Sequence, residues 1–251
     1  MGVEPIPGEP AAVAACGDER ALVVADFHAG IEAGLRRDGV ELPDHAPDRR
    51  DSLVDLVARE RPDRLAFLGD LGHAIGDPGR EEREELLALF GALPADLPVT
   101  LVKGNHDGDV ESLLDRVDQS VAVTPGHGVR IGDVGFAHGH TWPSPDVLRA
   151  GVVCVAHEHP VVRLEDEVGG ARVERVWLRG DLNPDPFWEF HESDLEIDAE
   201  LVVCPAYSDL SGGTWVNVEG QEFLAPFLPD GLDGGEAYLL NGTRLGNYRR
   251  V

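Results

Sequence analysis

The chain has 251 residues, and its hydrophobic content of 42% is enough to bury a sizeable core in one domain. Its 47 acidic and 21 basic residues give a formal net charge of -26, so the chain lacks the basic surface typical of nucleic-acid-binding proteins. No stretch approaches the roughly 18 apolar residues of a transmembrane helix, and the start does not resemble a signal peptide. We therefore expect a cytoplasmic protein without a membrane partner.

The first half of the chain alternates short apolar runs with stretches of helical periodicity. The apolar runs predict strands at residues 20–25, 64–68 and 98–102. The helical stretches predict helices at residues 48–61 and 78–93, and a proline at the start of the second supports that boundary. This alternation is typical of a parallel or mixed β-sheet with helices on its faces.

From about residue 120 the pattern changes to strand-like runs separated by short turns. These runs are residues 121–123, 128–131, 134–137, 152–156, 172–178, 201–205 and 214–218. Residues 180–200 are polar and contain several prolines, which predicts an exposed insertion. The sequence shows no internal repeat and no linker, so we predict a single domain over residues 1–251.

The cysteines and the acidic residues each allow a simple interpretation. The chain has three cysteines without CxxC spacing, and we expect them to be buried core residues. The acidic residues are spread over segments such as 81–85, 165–167 and 192–200 rather than confined to one interaction tail. In molar salt the Debye length falls to about 3 Å, which screens their repulsion. The composition resembles that of proteins from salt-accumulating halophilic archaea, and it does not exclude a nucleic-acid substrate.

Side chains that can bind metal ions follow five of the predicted strands. The segments are Asp26-Phe-His28, Gly69-Asp70-Leu-Gly-His73, Gly104-Asn105-His106-Asp107, His138-Gly-His140 and His157-Glu-His159. Seven of the ten histidines fall within these segments, an unusual concentration for a chance arrangement. Carboxylate, imidazole and amide groups together suit divalent ions such as manganese, iron or zinc.

The spacing within these segments has a physical reason. Two ligands that lie two residues apart, such as Asp26 and His28, point the same way from an extended backbone. The ends of strands in an open α/β sheet are also where such ligands converge. Glycines such as Gly69 and Gly104 let the chain turn sharply beside the site. The histidines outside the segments, for which we expect structural or surface roles, are His45, His127 and His191.

The order of these motifs over residues 26–159 resembles that of the calcineurin-like metallophosphoesterase superfamily. Within it, Gly-Asp-Leu-Gly-His at residues 69–73 is similar to the version in SbcD-type DNA repair nucleases. The Cys-Pro-Ala-Tyr-Ser and Ser-Gly-Gly motifs at residues 204–208 and 211–213 resemble those of SbcD-related archaeal phosphoesterases and DNA-ligase-associated phosphoesterases. Ala156 stands where glycine is commoner, and the additional domains of SbcD nucleases are not expected at this length.

The resemblance implies a fold and a set of metal ligands. The fold class is α/β (α+β), a four-layer αββα sandwich of two mixed β-sheets flanked by helices. Two divalent metal ions are implied, most readily manganese, with iron, zinc or nickel as alternatives. The implied ligands are Asp26, His28, Asp70, Asn105, His138, His157 and His159. Asp70 would bridge both ions, and His140 competes with His138 for its place.

The resemblance also implies catalytic roles around the metal ions. His106 would act on the leaving group, with Asp107 orienting it, and His73 would lie behind the ligands or face the substrate. The implied reaction is hydrolysis of a phosphodiester, of nucleic acid or a nucleotide-derived substrate, by hydroxide that two metal ions activate. A phosphomonoesterase acting on proteins or small molecules is the alternative enzyme. A non-catalytic scaffold with a vestigial site is the alternative of another class, although every ligand position is filled.

Overall fold

The computed structural model describes residues 2–166 and 168–251, and within these ranges six strands form the first sheet. They are β1 (Val3–Pro5), β2 (Ala11–Cys16), β3 (Glu19–Ala25), β4 (Arg64–Leu68), β5 (Val99–Val102) and β6 (Val121–Thr124), in that order across the sheet. β1 to β3 pair antiparallel and β3 to β6 pair parallel. Parallel neighbours need a crossover, and helices provide it here.

The two predicted helices are confirmed as these crossovers. They are α2 (Ala46–Glu60), between β3 and β4, and α3 (Arg80–Ala92), between β4 and β5. Shorter helices occur at α1 (Ile31–Arg37), α4 (Glu111–Leu114), α5 (Pro145–Leu148) and α6 (Asp185–His191), and a 3-10 helix at Tyr248–Arg250. Arg61 ends α2 in a left-handed conformation, and Pro62 follows it.

In the same described ranges, eight strands form the second sheet. They are β7 (Val129–Ile131), β8 (Val134–Phe136), β9 (Val152–Val155), β10 (Val161–Glu165), β11 (Ala171–Leu182), β12 (Glu200–Val203), β13 (Leu232–Leu239) and β14 (Arg244–Asn247). The order is β14-β13-β11-β12-β9-β8-β7, with β10 paired to β11. β12, β9 and β8 pair parallel, so this sheet is also mixed.

The residues of β3 show how the layers are built. Leu22 and Val24 face a core that they share with residues of α2 and α3. Val23 and Ala25 face the opposite way, into a core that they share with the second sheet. Strand side chains alternate between the two faces, so a strand buried on both sides is apolar throughout. The uninterrupted apolar run of β3 follows from this position.

The second sheet has helices on its outer face. Val147 of α5 and Phe187 of α6 pack in a third core with residues such as Val153 and Leu201 of the second sheet. The layers therefore run helices, sheet, sheet, helices. The predicted four-layer αββα sandwich with two mixed sheets is confirmed.

Two predictions from the second half differ from the structure. Residues 214–218 do not form a strand, because only an isolated bridge between Trp215 and Val161 is made before the chain turns. Residues 180–200 are not uniformly exposed: Leu182, Phe187 and Leu195 are buried in the third core. The apolar residues of this segment are widely spaced among polar ones, so its sequence looks like a surface loop.

The three thiols lie where the sequence predicts them. Cys16, Cys154 and Cys204 are free and buried, as predicted. Among the described residues, none of the helices combines the length and the apolar character needed to span a bilayer.

Candidate metal centre

The predicted ligand segments all begin just after the carboxyl end of a strand. Asp26 follows β3, Asp70 follows β4, Asn105 follows β5, His138 follows β8 and His157 follows β9. β3, β4 and β5 are parallel neighbours in the first sheet, and β8 and β9 are parallel neighbours in the second. Parallel strands end at the same edge, so each sheet contributes its group of polar side chains to one place.

The backbone at this edge is unusual. In the described ranges, seven non-glycine residues have positive φ, and five of them are predicted ligands. These five are Asp26, His28, Asp70, His157 and His159. Positive φ is uncommon for residues with a side chain and costs of order 1–3 kcal/mol each, so it persists where the surroundings impose it. Such concentrated strain is typical of a functional site.

A first group of donors consists of Asp26, His28 and His159, whose candidate ligand atoms lie within 4.8 Å of one another. The Nε2 atoms of His28 and His159 are only 3.3 Å apart, and His159 Nε2 is 3.4 Å from Asp26 Oδ2. His159 Nδ1 donates a hydrogen bond to the carbonyl oxygen of Gly212 at 2.8 Å. A carbonyl can only accept, so Nδ1 carries a proton and Nε2 is the ring atom that faces the group.

A second group consists of Asp70, His138 and His157, again with ligand atoms within 4.8 Å of one another. His138 Nδ1 donates to the carbonyl oxygen of Leu68 at 2.9 Å, which leaves its Nε2 lone pair free. That Nε2 lies 3.2 Å from Asn105 Oδ1 and 3.5 Å from Asp70 Oδ1. Asn105 therefore joins the second group through its amide oxygen.

Asp70 lies between the two groups. Its Oδ1 is 3.5 Å from His138 Nε2 in the second group, and its Oδ2 is 4.0 Å from His28 Nε2 in the first. Burial raises the pKa of Asp70 to about 6, although His138 and His106 counteract this. An anionic carboxylate buried here is costly unless positive charge lies next to it.

The pKa values of Asp26, His28 and His157 also bear on whether a cation could bind here. Burial alone would raise the pKa of Asp26, but His159, His138 and His28 outweigh it and lower the pKa to about 2. Burial lowers the pKa of His28 to about 3 and that of His157 to about 4, so both rings are neutral. Asp26 Oδ1 is a buried atom for which the described residues provide no hydrogen-bond partner. Against the effect of burial, Asp26 raises the pKa of His159 to about 9, so a cation that binds here would displace a proton from this ring. The neutral rings of His28 and His157 and the unpaired oxygen of Asp26 suit a divalent cation.

His106 lies at the mouth of the site, with its Nδ1 donating to the carbonyl oxygen of His73 at 2.5 Å. Its Nε2 is 3.9 Å from Asp70 Oδ2. The family resemblance implies that Asp107 orients His106. The carboxylate of Asp107 accepts the backbone N–H groups of Gly72 and Gly104, at 3.2 and 2.8 Å, and so holds the turn that carries His106. The carbonyl oxygen of His73 makes the contact with the His106 ring.

The rings of His73 and His140 lie next to the two groups. His73 Nδ1 is 3.5 Å from His28 Nδ1, and its ring stacks on that of His106 with centroids 5.7 Å apart. These three histidines form a further group of possible metal donors. The His140 ring is 5.1 Å from that of His138, but His138 is the one grouped with Asp70.

Two parts of the site were not assigned a place from the sequence. The Cys204-Pro-Ala-Tyr-Ser motif lies beside Asp26, where Tyr207 N donates to the carbonyl of Ala25 and Ser208 N to that of Asp26. The Tyr207 ring stacks on Phe27 with centroids 5.7 Å apart. Arg49 on α2 contacts Glu85 on α3, whose Oε2 accepts from the backbone N of Gly30 at 2.6 Å. These contacts join segments that are far apart in the sequence, so local periodicity does not reveal them.

A cleft of about 300 Å³ opens beside the two donor groups. Its walls include Asp70, His106, His157 and His159. Residues of an irregular segment, 212–224, complete the lining. The metal-ligand groups are therefore accessible to a small substrate.

The comparisons agree with this geometry. The profile of the calcineurin-like phosphoesterase family matches residues 19–215, so the chain belongs to that family. Members of the family bind two divalent metal ions, and the chain is accordingly a metal-dependent hydrolase of phosphoesters. No curated protein sequence matches the chain.

Three solved structures are similar to the chain to different degrees. The nuclease MPE of Pseudomonas putida is 19% identical, with a TM-score of 0.56 over 97% of this chain and 100% of that one. Yfce, a phosphoesterase from E. coli, is 15% identical, with a TM-score of 0.39 over 90% of this chain and 96% of that one. A predicted phosphoesterase from Streptococcus pneumoniae is 11% identical, with a TM-score of 0.31 over 89% of this chain and 91% of that one.

Close packing at Gly104 leads to a prediction. A Cβ atom there would collide with Asp70 Oδ1 and with the backbone N of Asp70. Gly104→Ala should displace the carboxylate and lower kcat/KM on a chromogenic phosphodiester by roughly 10²-fold, as displacements of about 1 Å commonly do. Gly91→Ala is the matched control, because Gly91 has open space around it in α3 and should keep full activity. Full activity of Gly104→Ala would contradict the packing described.

Proposed function

We propose that the chain is a dinuclear-metal-dependent phosphodiesterase. The observation that carries this proposal is Asp70, a buried carboxylate whose two oxygens face two separate groups of metal donors in one cleft. The proposed ligands of one ion are Asp26, His28 and His159, and those of the other are Asn105, His138 and His157, with Asp70 shared. The ring of His138 in the second group favours it over His140 as the ligand.

Manganese is our first candidate for both positions, with iron, zinc or nickel as alternatives. The donor set combines carboxylate, imidazole and amide oxygen without thiolate, which suits hard-to-borderline divalent ions. When bound, two such ions supply an activated water and neutralise charge on the phosphate.

The protein's own groups orient and transfer protons. Because His73 O holds the proton of His106 on Nδ1, the Nε2 of His106 is the atom that can donate a proton to a departing oxygen. Asp107 keeps the two turns at Gly72 and Gly104 together and so fixes the backbone of His106. The ring of His73 stacks on that of His106 and limits its rotation. In this proposal His106 is the catalytic acid, and Asp107 and His73 position it.

Nucleic acid or a nucleotide-derived diester is the substrate we propose. The motifs at residues 69–73 and 204–208 resemble those of SbcD-related phosphoesterases, and a neighbour of the same fold is a nuclease. The net charge of -26 would repel such a polyanion in dilute buffer, whereas molar salt screens it. We infer that the protein works in the cytoplasm of a salt-accumulating halophile. Its activity should therefore be assayed in molar potassium chloride.

A phosphomonoesterase is the second candidate, because metal ions held by the same donors could activate water to attack a phosphomonoester as well as a phosphodiester. The test is turnover of bis(p-nitrophenyl) phosphate against p-nitrophenyl phosphate with manganese in molar potassium chloride. Faster hydrolysis of the diester supports the proposal, and faster hydrolysis of the monoester replaces it with the second candidate. No turnover of either ester, nor of single-stranded, nicked or duplex DNA, would favour the non-catalytic scaffold.

His106→Ala tests the proposed acid. Turnover of the diester should fall by about 10²–10⁴-fold, the usual contribution of general acid–base catalysis. Metal content should stay near that of the wild type, because His106 is outside the proposed ligand set. His45→Ala is the matched control. His45 immediately precedes α2 and is not among the residues that line the cleft. Wild-type turnover of His106→Ala would reject this role.

A further inference from the structure

The lining of the cleft contains an exposed apolar side chain. Leu224 lines the cleft together with Asp70, His106 and His157, yet 59% of its surface is exposed. Among the described residues that line the cleft, it is the one large aliphatic side chain, and the lining includes no lysine or arginine. A single exposed leucine is ordinary on a protein surface, so the significance of Leu224 comes from its place in the lining of the cleft.

The backbone around Leu224 is held in place. The next residue, Ala225, is 2% exposed and packs in the third core, as does Val216 at the other end of the segment. The chain between them, residues 217–224, is mostly exposed. Leu224 is therefore presented at the edge of an exposed loop whose two ends are anchored.

A buried carboxylate ties this loop to the metal-binding turn. Glu158 stands between His157 and His159 and is 0% exposed. Its Oε1 accepts from the backbone N of Ala225 at 2.5 Å, and its Oε2 accepts from Thr214 Oγ1 at 2.8 Å. Burial raises the pKa of Glu158, and these hydrogen bonds oppose the shift. The side chain that follows His157 thus fixes the position of Leu224 relative to the metal donors.

We propose that Leu224 forms the contact for the organic group of the phosphodiester, such as the ring of a nucleobase or an aryl ester, and that Thr214 positions this contact through Glu158. The inference rests on the proposed function and adds a determinant of specificity to it. A phosphodiester carries an organic group on each side of its phosphate. Among the described residues that line the cleft there is no lysine or arginine, and Leu224 is the large aliphatic side chain that can contact such a group.

The test compares kinetics with bis(p-nitrophenyl) phosphate and methyl p-nitrophenyl phosphate, which share a leaving group. Leu224→Ala should raise KM for the bis-ester roughly three- to tenfold, the usual effect of removing part of an apolar contact, with kcat within about twofold. Val173→Ala is the matched control: Val173 is 51% exposed and is not part of the cleft lining. An effect on the bis-ester alone assigns the contact to the retained aryl group, and an effect on both esters assigns it to the leaving group.

Thr214 is tested as a positioning residue. Thr214→Val removes the hydroxyl that reaches Glu158 and should raise KM in the same direction, whereas Thr214→Ser should restore it. Combined with Leu224→Ala, Thr214→Val should add little, because both act on one contact.

The outcomes separate the two proposals. Unchanged KM of Leu224→Ala for both esters, with an active wild type, overturns the contact and leaves the proposed function intact. A wild type that hydrolyses neither ester overturns the contact with an organic group, and the proposed function falls with it if single-stranded, nicked and duplex DNA are also left intact. Equal KM changes in Val173→Ala would also overturn the specific role of Leu224.

Discussion

Asp70→Ala should abolish phosphoesterase activity, with a loss of roughly 10³-fold or more in turnover, because the charge stabilisation that metal ions supply is worth several kcal/mol. Asp70 is 2% exposed and approaches both donor groups, so its loss removes the ligand that we propose both ions share. We also expect most of the metal to be lost. Metal analysis of the purified variant, together with turnover of a chromogenic diester, measures both effects.

Thermal unfolding separates metal loss from misfolding. A chelator should lower the Tm of the wild type, because ions bound to the folded state stabilise it. The same chelator should leave the Tm of Asp70→Ala nearly unchanged if the ions are already gone. Asp77→Ala is the control, since this carboxylate is 69% exposed and pairs with Arg83 outside the cleft. Full metal content in Asp70→Ala would refute the shared-ligand role.

Arg49→Leu should destabilise the fold by about 3–5 kcal/mol, the usual cost of leaving a buried charge without its partner. Arg49 is 7% exposed, and its Nη1 and Nη2 lie 3.0 Å from Glu32 Oε1 and 2.6 Å from Glu85 Oε1. Without the guanidinium, two carboxylates share one buried space. Chemical denaturation gives the change in the free energy of unfolding.

The effect should reach the metal centre and depend on pH. Glu85 holds the backbone of Gly30, two residues after His28, so we expect metal affinity to fall by about 10–100-fold as well. Burial raises the pKa of Glu85, and Arg49 opposes this shift. In Arg49→Leu the arginine no longer opposes this rise, so Glu85 becomes protonated at pH values below its raised pKa. Protonation removes the buried negative charge that has lost its partner. The loss of stability should therefore be smaller at pH 5 than at pH 8.

Arg36→Leu is the matched control for this network. Arg36 pairs with Glu81 at the surface, and the two side chains are 48% and 49% exposed. Exposed ion pairs contribute about 0–1 kcal/mol, so this variant should unfold nearly as the wild type does. If Arg36→Leu and Arg49→Leu lowered the free energy of unfolding by similar amounts, the burial of Arg49 with Glu32 and Glu85 would not explain the effect.

The central elements were predictable because their signals are local. The all-apolar run of β3 reflects burial on both faces, and the helical spacing in α2 reflects burial on one. Residues 214–218 have the apolar alternation of a strand, but a strand also needs a partner edge, and Trp215 meets β10 at a single bridge. In residues 180–200, Phe187 is buried because α5 and α6 lie over the second sheet, which no local pattern encodes.

The residue types alone predict a divalent-metal site, because a carboxylate, imidazole or amide at a strand end is a metal donor in any fold. The sequence also determined the sheet and helix alternation, since periodicity records which faces are buried. Three contacts became visible only in the folded chain: Asp107 joins the turns at Gly72 and Gly104, Glu158 holds the backbone next to Leu224, and Arg49 contacts Glu85, which holds the backbone of Gly30. These contacts join residues from separate segments, and hydrogen-bond geometry depends on distances that the order of residues does not contain.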